Sequence, residues 1–289
     1  MTQLRIGLNP LPWTEQWTAN LGMPARQILG LETSMRDLEN SGIQGICADL
    51  PDGMELGSFV AATERHGFSA APGFFGVPGV VDQAALDAAR RKADQHARLG
   101  LTEVFLGPDL PPERFAHPGV GFDPDADRVA RIADDFMAVA DVFAAEGVWG
   151  LLHSHISSWI ETDEEVRQVL DLSAGSALGF GPDTAQLGWA GSDPVAIIRD
   201  YADRVGGVHA KDFHAERAAA ATAEGADYDT ATVGLHVWTE PGRGEVDFAG
   251  VLAALPPSFA GWLIIEVDVP DLPNRTESTL FSLRHLRSL

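Results

Sequence analysis

Three polar side chains in the second half of the chain have the types and positions that could bind a metal ion. Asp183, His209 and Glu266 each stand at or near the end of a short apolar run. If these runs are neighbouring parallel strands, the three side chains converge, because the carboxyl ends of such strands form one face. Carboxylate oxygen and imidazole nitrogen make a mixed ligand set that suits Mn, Co, Mg or Zn. The sequence therefore predicts a divalent-metal site.

Glu266 carries the strongest signal of the three. It follows Trp-Leu-Ile-Ile, a run typical of a buried strand. A carboxylate buried there costs several kcal/mol unless it is paired or bound to a metal. The plainer alternative is that these side chains end their strands against solvent or backbone N–H groups. That alternative is a reasonable explanation for any one of these residues, but it is a poor explanation for three of them on consecutive strands.

Lys211 and His155 are candidate acid/base residues beside this site. Side chains alternate along a strand, so residues two apart share a face. The pairs related in this way are His153 with His155, His209 with Lys211, and Glu266 with Asp268. Of 20 basic residues only Lys92 and Lys211 are lysine, which suggests that a titratable ammonium is needed beside the ligands. An ion pair of Lys211 with Asp212 or a neighbouring acid, and a packing role for His155, are the alternatives.

The elements that would position these residues alternate between short strands and amphipathic helices. The predicted strands are Leu4–Leu8, Gly45–Ala48, Ser69–Phe75, Glu103–Leu106, Trp149–His153, Leu178–Asp183, Gly207–Lys211 and Trp262–Val267. The clearest predicted helices are Asp82–Leu99, Asp125–Glu146, Thr162–Leu172 and Asp193–Arg204. Eight strand–helix units favour closure into a barrel over an open sheet. We therefore expect an α/β fold, a single (β/α)8 TIM barrel spanning residues 1–289 as one domain.

One stretch breaks the alternation. His214–Val237 is rich in Ala and Thr and shows no strand pattern. We expect an irregular loop there, and loops of that length are usually functional or poorly ordered. A lid over the site and a plain surface insertion are equally compatible with the sequence.

Composition limits the classes of partner. The formal charge is −22, with 42 acids against 20 bases, and that field opposes binding to nucleic acid. Cys47 is the only cysteine, so neither an internal disulfide nor a cysteine-based zinc site can form. The sequence shows no signal-peptide pattern and no apolar run long enough to cross a membrane. We expect a cytoplasmic protein without membrane or nucleic-acid partners.

Several of these segments together resemble the xylose-isomerase-like barrel superfamily of sugar phosphate isomerases and epimerases, and within it the inosose dehydratase and inosose isomerase group. The matching segments are His153–Thr162, Asp183–Gly191, Asp193–Arg204, Val208–Asp212, Glu240–Phe248 and Gly261–Asp268. The second half of the chain matches in detail, and the first half matches in pattern, including Ile6–Trp13. The ordered set is fairly specific, whereas any one segment alone would be weak.

The resemblance implies that Asp183, His209 and Glu266 are metal ligands. The family's usual fourth ligand, a Glu on the fifth strand, would fall near Leu151, where there is no acid. His153 is our hypothesis for the fourth ligand, since the dehydratase-like branch has histidines on that strand. Gln186 stands where the family has a His that often meets substrate. Cys47 lies near a position where the second strand often carries Glu.

The resemblance also implies a reaction class. The family's metal acts as a Lewis acid on a ketose or keto-polyol and stabilises an enediolate, from which isomerisation, epimerisation or dehydration follows. We therefore expect a divalent-metal-dependent isomerase, epimerase or dehydratase acting on a sugar or an inosose-like keto-cyclitol. Lys211, His155 or Glu266 would act as acid or base. Barrels of this group often associate, so a homo-oligomer is also an expectation.

Three further residues are candidates for substrate binding. Trp13 could offer an apolar platform to a ring face, with core packing as the alternative. Gln186 is a candidate because it stands where the family pattern has a residue that often meets substrate. Glu240 is a candidate because it lies in a turn after the long loop. Two other functions stay open: a catalytically weak or accessory carbohydrate-binding barrel, and, more remotely, an AP-endonuclease-like DNA-repair enzyme.

Overall fold

Parallel strands around a central axis form the framework of the protein. The computed structural model describes residues 4–14 and 29–289. The strands are β1 (Arg5–Leu8), β2 (Gly45–Cys47), β3 (Ser69–Ala71), β4 (Phe74–Val77), β5 (Glu103–Pro108), β6 (Trp149–Leu152), β7 (Gly179–Phe180), β8 (Gly207–Ala210), β9 (Asp212–Phe213), β10 (Trp238–Thr239) and β11 (Trp262–Ile265). Apart from the antiparallel β9–β10 pair, the paired strands are parallel. The predicted α/β barrel is confirmed.

Two sheets share the barrel wall and meet at two seams. One sheet has the order β3-β2-β1-β11-β8 and the other the order β4-β5-β6-β7. At the first seam the chain passes directly from β3 to β4 through Pro72 and Gly73. At the second seam, single bridges join Phe180 to Val205 and Asp183 to His209. The barrel therefore closes through two short junctions rather than through one continuous ladder.

Helices cover the outside of the barrel. They are α1 (Leu11–Thr14), α2 (Leu31–Asp37), α3 (Leu56–His66), α4 (Gln83–Arg98), α5 (Pro112–Phe115), α6 (Ala126–Ala145), α7 (Asp163–Leu172), α8 (Thr184–Trp189), α9 (Pro194–Asp200), α10 (Ala215–Glu224), α11 (Phe248–Ala254) and α12 (Arg275–Arg287). A capping box begins α7, because Thr162 and Glu165 bond reciprocally there. Within the described ranges, no helix combines the length and the apolar character needed to cross a membrane.

Two predictions about the elements were wrong. The predicted strand Ser69–Phe75 is divided, because β3 and β4 belong to different sheets. The predicted irregular stretch His214–Val237 is largely helical, with α10 followed by a π-helix at Thr230–Gly234. The run Ala-Glu-Arg-Ala-Ala-Ala-Ala has high intrinsic helix propensity, and the prediction of an irregular loop did not take that propensity into account.

The barrel interior below the site is filled by a few large side chains. One inward cluster consists of Cys47, Ala71, Phe105, Leu151, Trp262 and Ile264. Glycine faces the bulkiest of them. A Cβ on Gly45 would lie 2.7 Å from the Trp262 ring, and one on Gly107 would overlap the ring of Phe74, which packs against this cluster. Intervening residues such as Leu263 and Ile265 pack outward in the main core, so the strands alternate as expected.

Candidate metal centre and its cavity

Three side chains at the carboxyl ends of β6, β7 and β8 form a compact, buried group. His153 directly follows β6, Asp183 follows β7, and His209 lies within β8. One ligand atom from each lies within 4.8 Å of the others. The second seam creates this proximity, because the bridge between Asp183 and His209 joins their backbones directly. The ring of Phe105 lies 4.1 Å from that of His209 and closes the group from below.

The polar atoms of this group suit a metal ion. Nδ1 of His153, Oδ2 of Asp183 and both ring nitrogens of His209 are buried without a hydrogen-bond partner in the part of the chain that the structure describes. Buried polar atoms are rarely left in that state. Burial lowers the pKa of His153 well below its ordinary value and raises the pKa of Asp183 to about 7. A neutral imidazole is the form that binds metals, so this donor set fits a divalent ion.

The two oxygens of Asp183 have different surroundings. Oδ1 accepts hydrogen bonds from the backbone N–H groups of Ala185 and Gln186, both at 2.9 Å, and thereby caps α8. Oδ2 is the atom without a partner. One oxygen therefore fixes the orientation of the side chain, while the other is available to a ligand.

Glu266 lies beside this group rather than inside it. Its Oε2 is 2.9 Å from Nδ1 of His209, a close approach that lies off the direction of an N–H bond. Asn9 donates to the same oxygen at 2.7 Å, and Lys211 donates to Oε1 at 3.1 Å. Burial would raise the pKa of Glu266, but Lys211, His209 and His153 together outweigh it and hold the pKa well below its ordinary value. Glu266 is therefore an ionised carboxylate with both oxygens engaged.

Lys211 is the buried cation behind the site. Its ammonium also donates to Oδ2 of Asp268 at 2.6 Å and lies 4.3 Å from the ring centre of Trp238. Burial opposes the charge, yet Asp268 and Glu266 raise the pKa of Lys211 well above its ordinary value. The ion pair foreseen as an alternative is present, but Asp212 is not the partner, because that carboxylate accepts backbone N–H groups instead.

A cavity of about 540 Å³ opens above the group. It is lined by Asn9, Pro10, Leu11, Thr14, Asp49, Pro51, Phe74, His153, His155, Glu266 and Asp268. Of the residues predicted to act as acid or base, His155 and Glu266 border this space, whereas the fully buried Lys211 is not among the described residues that do. The volume is within the range of small-molecule sites.

Gln186 holds the turn that carries His155. Its Oε1 accepts from the backbone N–H of Ile156 at 2.9 Å, and its side chain is buried. Nδ1 of His155 lies 2.6 Å from the carbonyl of Ile156, to which it donates. Burial lowers the pKa of His155 to about 4. The ring is therefore neutral near pH 7, with Nε2 as its basic nitrogen.

Trp13 and Glu240, predicted to bind substrate, are buried away from the cavity. The indole of Trp13 packs in the main core and donates to Asp37 at 2.9 Å. Glu240 accepts from the backbone N–H of Leu272 at 3.0 Å and lies 3.3 Å from Nε of Arg243. In this conformation Trp13 has its alternative role of core packing, and Glu240 joins two loops.

Sequence reasoning did not single out Asn9 and Asp49 as site residues. Asn9 follows β1 and anchors Glu266, and Asp49 follows β2 and lines the cavity. Both are polar residues just beyond an apolar strand, which is the signal that identified Asp183. Searching the first half of the chain for that signal would have found them.

Comparison with known proteins identifies the family of the fold. The family model described as xylose isomerase-like TIM barrel matches residues 35–289. A rhizopine catabolism protein, MocC, from Rhizobium meliloti is 25% identical over 280 residues, which is 93% of this chain and 82% of that protein. An inosose dehydratase from Geobacillus kaustophilus is 29% identical over 138 residues, 47% of this chain. That match spans 44% of the dehydratase.

Solved structures share the same architecture. The IolI protein with a bound zinc atom superposes with a TM-score of 0.71 at 14% identity, covering 99% of this chain and 97% of that one. A D-allulose 3-epimerase from Methylomonas superposes with a TM-score of 0.68 at 17% identity, covering 100% and 98%. At these identities the likeness concerns the fold.

Proposed function

The chain belongs to the xylose isomerase-like TIM barrel family, and on that premise we propose that it is a divalent-metal-dependent isomerase, epimerase or dehydratase acting on an inosose-like keto-cyclitol or a sugar. Its relatives indicate an enzyme of the sugar isomerase, epimerase or dehydratase type. The metal requirement and the particular reaction are the proposed parts.

One observation carries the metal requirement. His153, Asp183 and His209 are buried within reach of one ion, and each keeps at least one buried polar atom without a hydrogen-bond partner among the described residues. These three would hold the ion, and Glu266, which the sequence also predicts as a ligand, lies beside His209. A bound divalent ion would supply Lewis acidity at a carbonyl oxygen.

The residues around the cavity would supply the proton transfers. Glu266 and His155 border the space and are the candidate acid and base. Asn9 and Lys211 orient the Glu266 carboxylate from two sides. The buried position of Lys211 favours a role in holding Glu266 and Asp268 over a direct role at the substrate.

Metal analysis combined with turnover tests the proposal. Purified protein should contain close to one divalent ion per chain, and a chelator should abolish turnover of a keto-inositol, with Mn, Co, Mg or Zn restoring it. Product analysis then separates elimination of water from isomerisation. A metal-free protein that turns over the keto-inositol regardless of chelator would refute the metal requirement. Polyol binding without any turnover would instead favour the accessory binding barrel.

A further inference from the structure

Asp49 occupies a second wall of the cavity, away from the candidate metal ligands. It follows β2, whereas Glu266 and Asp268 follow β11, with β1 between the two strands. Its side chain keeps 35% of its surface exposed and lines the cavity. An exposed carboxylate in a small-molecule cavity can accept hydrogen bonds from a bound ligand.

The carboxylate of Asp49 is held through one oxygen. Oδ1 accepts from the backbone N–H of Phe74 at 2.8 Å and from Nζ of Lys92 at 2.9 Å. Lys92 is itself fixed, because it also donates to the carbonyl of Ala48 at 2.9 Å. Oδ2 of Asp49 makes no hydrogen bond to any residue in the ranges 4–14 and 29–289. The side chain is thus oriented in advance, with one oxygen left for a ligand.

The choice of lysine matters for this arrangement. The chain has only two lysines among 20 basic residues, and both bind carboxylates that line this cavity. Arginine tends to engage both oxygens of a carboxylate with its planar fork, whereas an ammonium is a point charge. Lys92 therefore fixes and partly neutralises Asp49 without covering its second oxygen.

We propose that Asp49, oriented by Lys92, binds a hydroxyl group of the substrate and selects an uncharged polyhydroxylated ring or ketose over a phosphorylated one. Three carboxylates, from Asp49, Glu266 and Asp268, line the cavity, and the described lining contains no arginine or lysine. A hydroxyl group can donate to the free oxygen of Asp49, whereas an ionised phosphate has no proton to donate there, and the described lining offers it no arginine or lysine. This assignment rests on the proposed function and names the substrate class of that site.

The substitution Asp49→Asn tests the assignment with little change in shape. The amide can keep an oxygen for Phe74 and Lys92, but it replaces the free acceptor by an NH₂ donor. The matched control is Asp94→Asn, which makes the same charge change on α4, the helix of Lys92, at a residue 61% exposed and paired only with Arg98 among described residues. Both variants should keep the metal content and melting temperature of the wild type.

Binding is measured by calorimetry with myo-inositol as an uncharged probe and with myo-inositol 1-phosphate as its charged counterpart. Loss of a charge-assisted hydrogen bond should weaken myo-inositol binding to Asp49→Asn about 10- to 100-fold. The variant should discriminate less against the phosphate. With a keto-inositol, KM should rise by a similar factor while kcat changes less than about 3-fold, because a uniform binding contact is lost. Asp94→Asn should match the wild type throughout.

The alternative, in which Asp49 only fixes the β3–β4 junction, predicts different results. Unchanged myo-inositol affinity in Asp49→Asn, or weaker binding accompanied by a lower melting temperature, overturns the assignment. So does a wild type that binds the phosphate as well as the free polyol. A wild type that binds neither probe and contains no metal overturns the proposed function as well, so the two failures can be told apart.

Discussion

The two seams of the barrel are built from the same kinds of residues but differ in how completely their polar atoms are paired. At the first seam, Nε2 of His96 accepts from the backbone N–H of Gly73 at 3.1 Å, and its Nδ1 donates to the carbonyl of Lys92 at 3.1 Å. At the second seam, Asp183 and His209 are equally buried, yet they present atoms without partners.

This difference separates a structural junction from a site. A buried histidine whose two ring nitrogens both form hydrogen bonds within the chain needs no further ligand. A histidine with neither satisfied, beside a carboxylate oxygen in the same state, leaves a desolvation cost that an ion can offset. Both seams contain buried polar residues, so burial alone would identify both as candidate sites. Only the second seam has buried polar atoms without hydrogen-bond partners among the described residues, and this identifies it as the candidate metal site.

The largest expected effect is on activity, at the second seam. Asp183→Asn should lose the ion, because a neutral amide is a poorer ligand for a hard divalent cation. Activity on a keto-inositol should fall on the order of 10³-fold, the equivalent of several kcal/mol of Lewis-acid stabilisation. Metal content and kcat/KM give the measurement. His96→Gln at the first seam is the control and should retain both within about 2-fold; equal losses would erase the distinction between the seams.

The two lysines should differ in what they contribute to stability. Lys211 is fully buried between Glu266 and Asp268, whereas the Lys92–Asp49 pair is partly exposed. Lys211→Met should lower the free energy of unfolding by about 3–5 kcal/mol, since it leaves buried carboxylates uncompensated. Lys92→Met should cost about 1 kcal/mol or less. Urea unfolding of the metal-free proteins measures both values, and similar losses would contradict the difference in burial.

The first seam should give the protein an acid sensitivity of its own. Burial lowers the pKa of His96 from 6.5 to about 4, with the charge of Lys92 acting in the same direction and that of Asp49 against it. The unfolded chain therefore binds a proton at higher pH than the folded chain does. The stability from neutral His96 is fully present above pH 6.5 and is lost as the pH falls towards 4, by about 3 kcal/mol.

His96→Gln separates this contribution from general acid unfolding. The amide oxygen of Gln can accept from Gly73 and does not titrate. Free energies of unfolding measured from pH 7 to pH 4 should therefore fall less steeply in the variant, by about 3 kcal/mol over the range. Parallel curves for variant and wild type would show that His96 is not kept neutral by the fold.

Periodicity and strand-end chemistry predicted the barrel and the convergence of Asp183 and His209, because both follow from local pattern and from the geometry of parallel strands. The break of the third strand at Gly73 was not predictable in this way. It depends on Asp49, His96 and Lys92, which approach from other elements. The burial of Trp13 has a similar origin, since an aromatic side chain after a strand suits a cavity wall and a core equally well.

The partners of individual atoms were also beyond sequence reasoning. An ion pair is one of the alternatives that the sequence offers for Lys211, but the alternation of side chains along β8 does not show that its ammonium pairs with Glu266 and Asp268 after β11 rather than with Asp212. Likewise, Gln186 was a candidate for substrate contact, and its bond to Ile156 depends on how α8 packs against the turn after β6. Tertiary contacts of this kind decide the roles of Lys211 and Gln186, which residue spacing in the sequence cannot determine.

The smallest expected effect divides the two roles of Asp183. Its Oδ1 caps α8 through two backbone N–H groups, and Asn can replace it there whereas Ala cannot. Measured without metal, Asp183→Ala should therefore be less stable than Asp183→Asn by about 1 kcal/mol, the usual value of an N-cap. Both variants should bind metal equally poorly, because each lacks the anionic Oδ2. If the two were equally stable, the cap would not be what orients this carboxylate, and the seam itself would have to hold it in place.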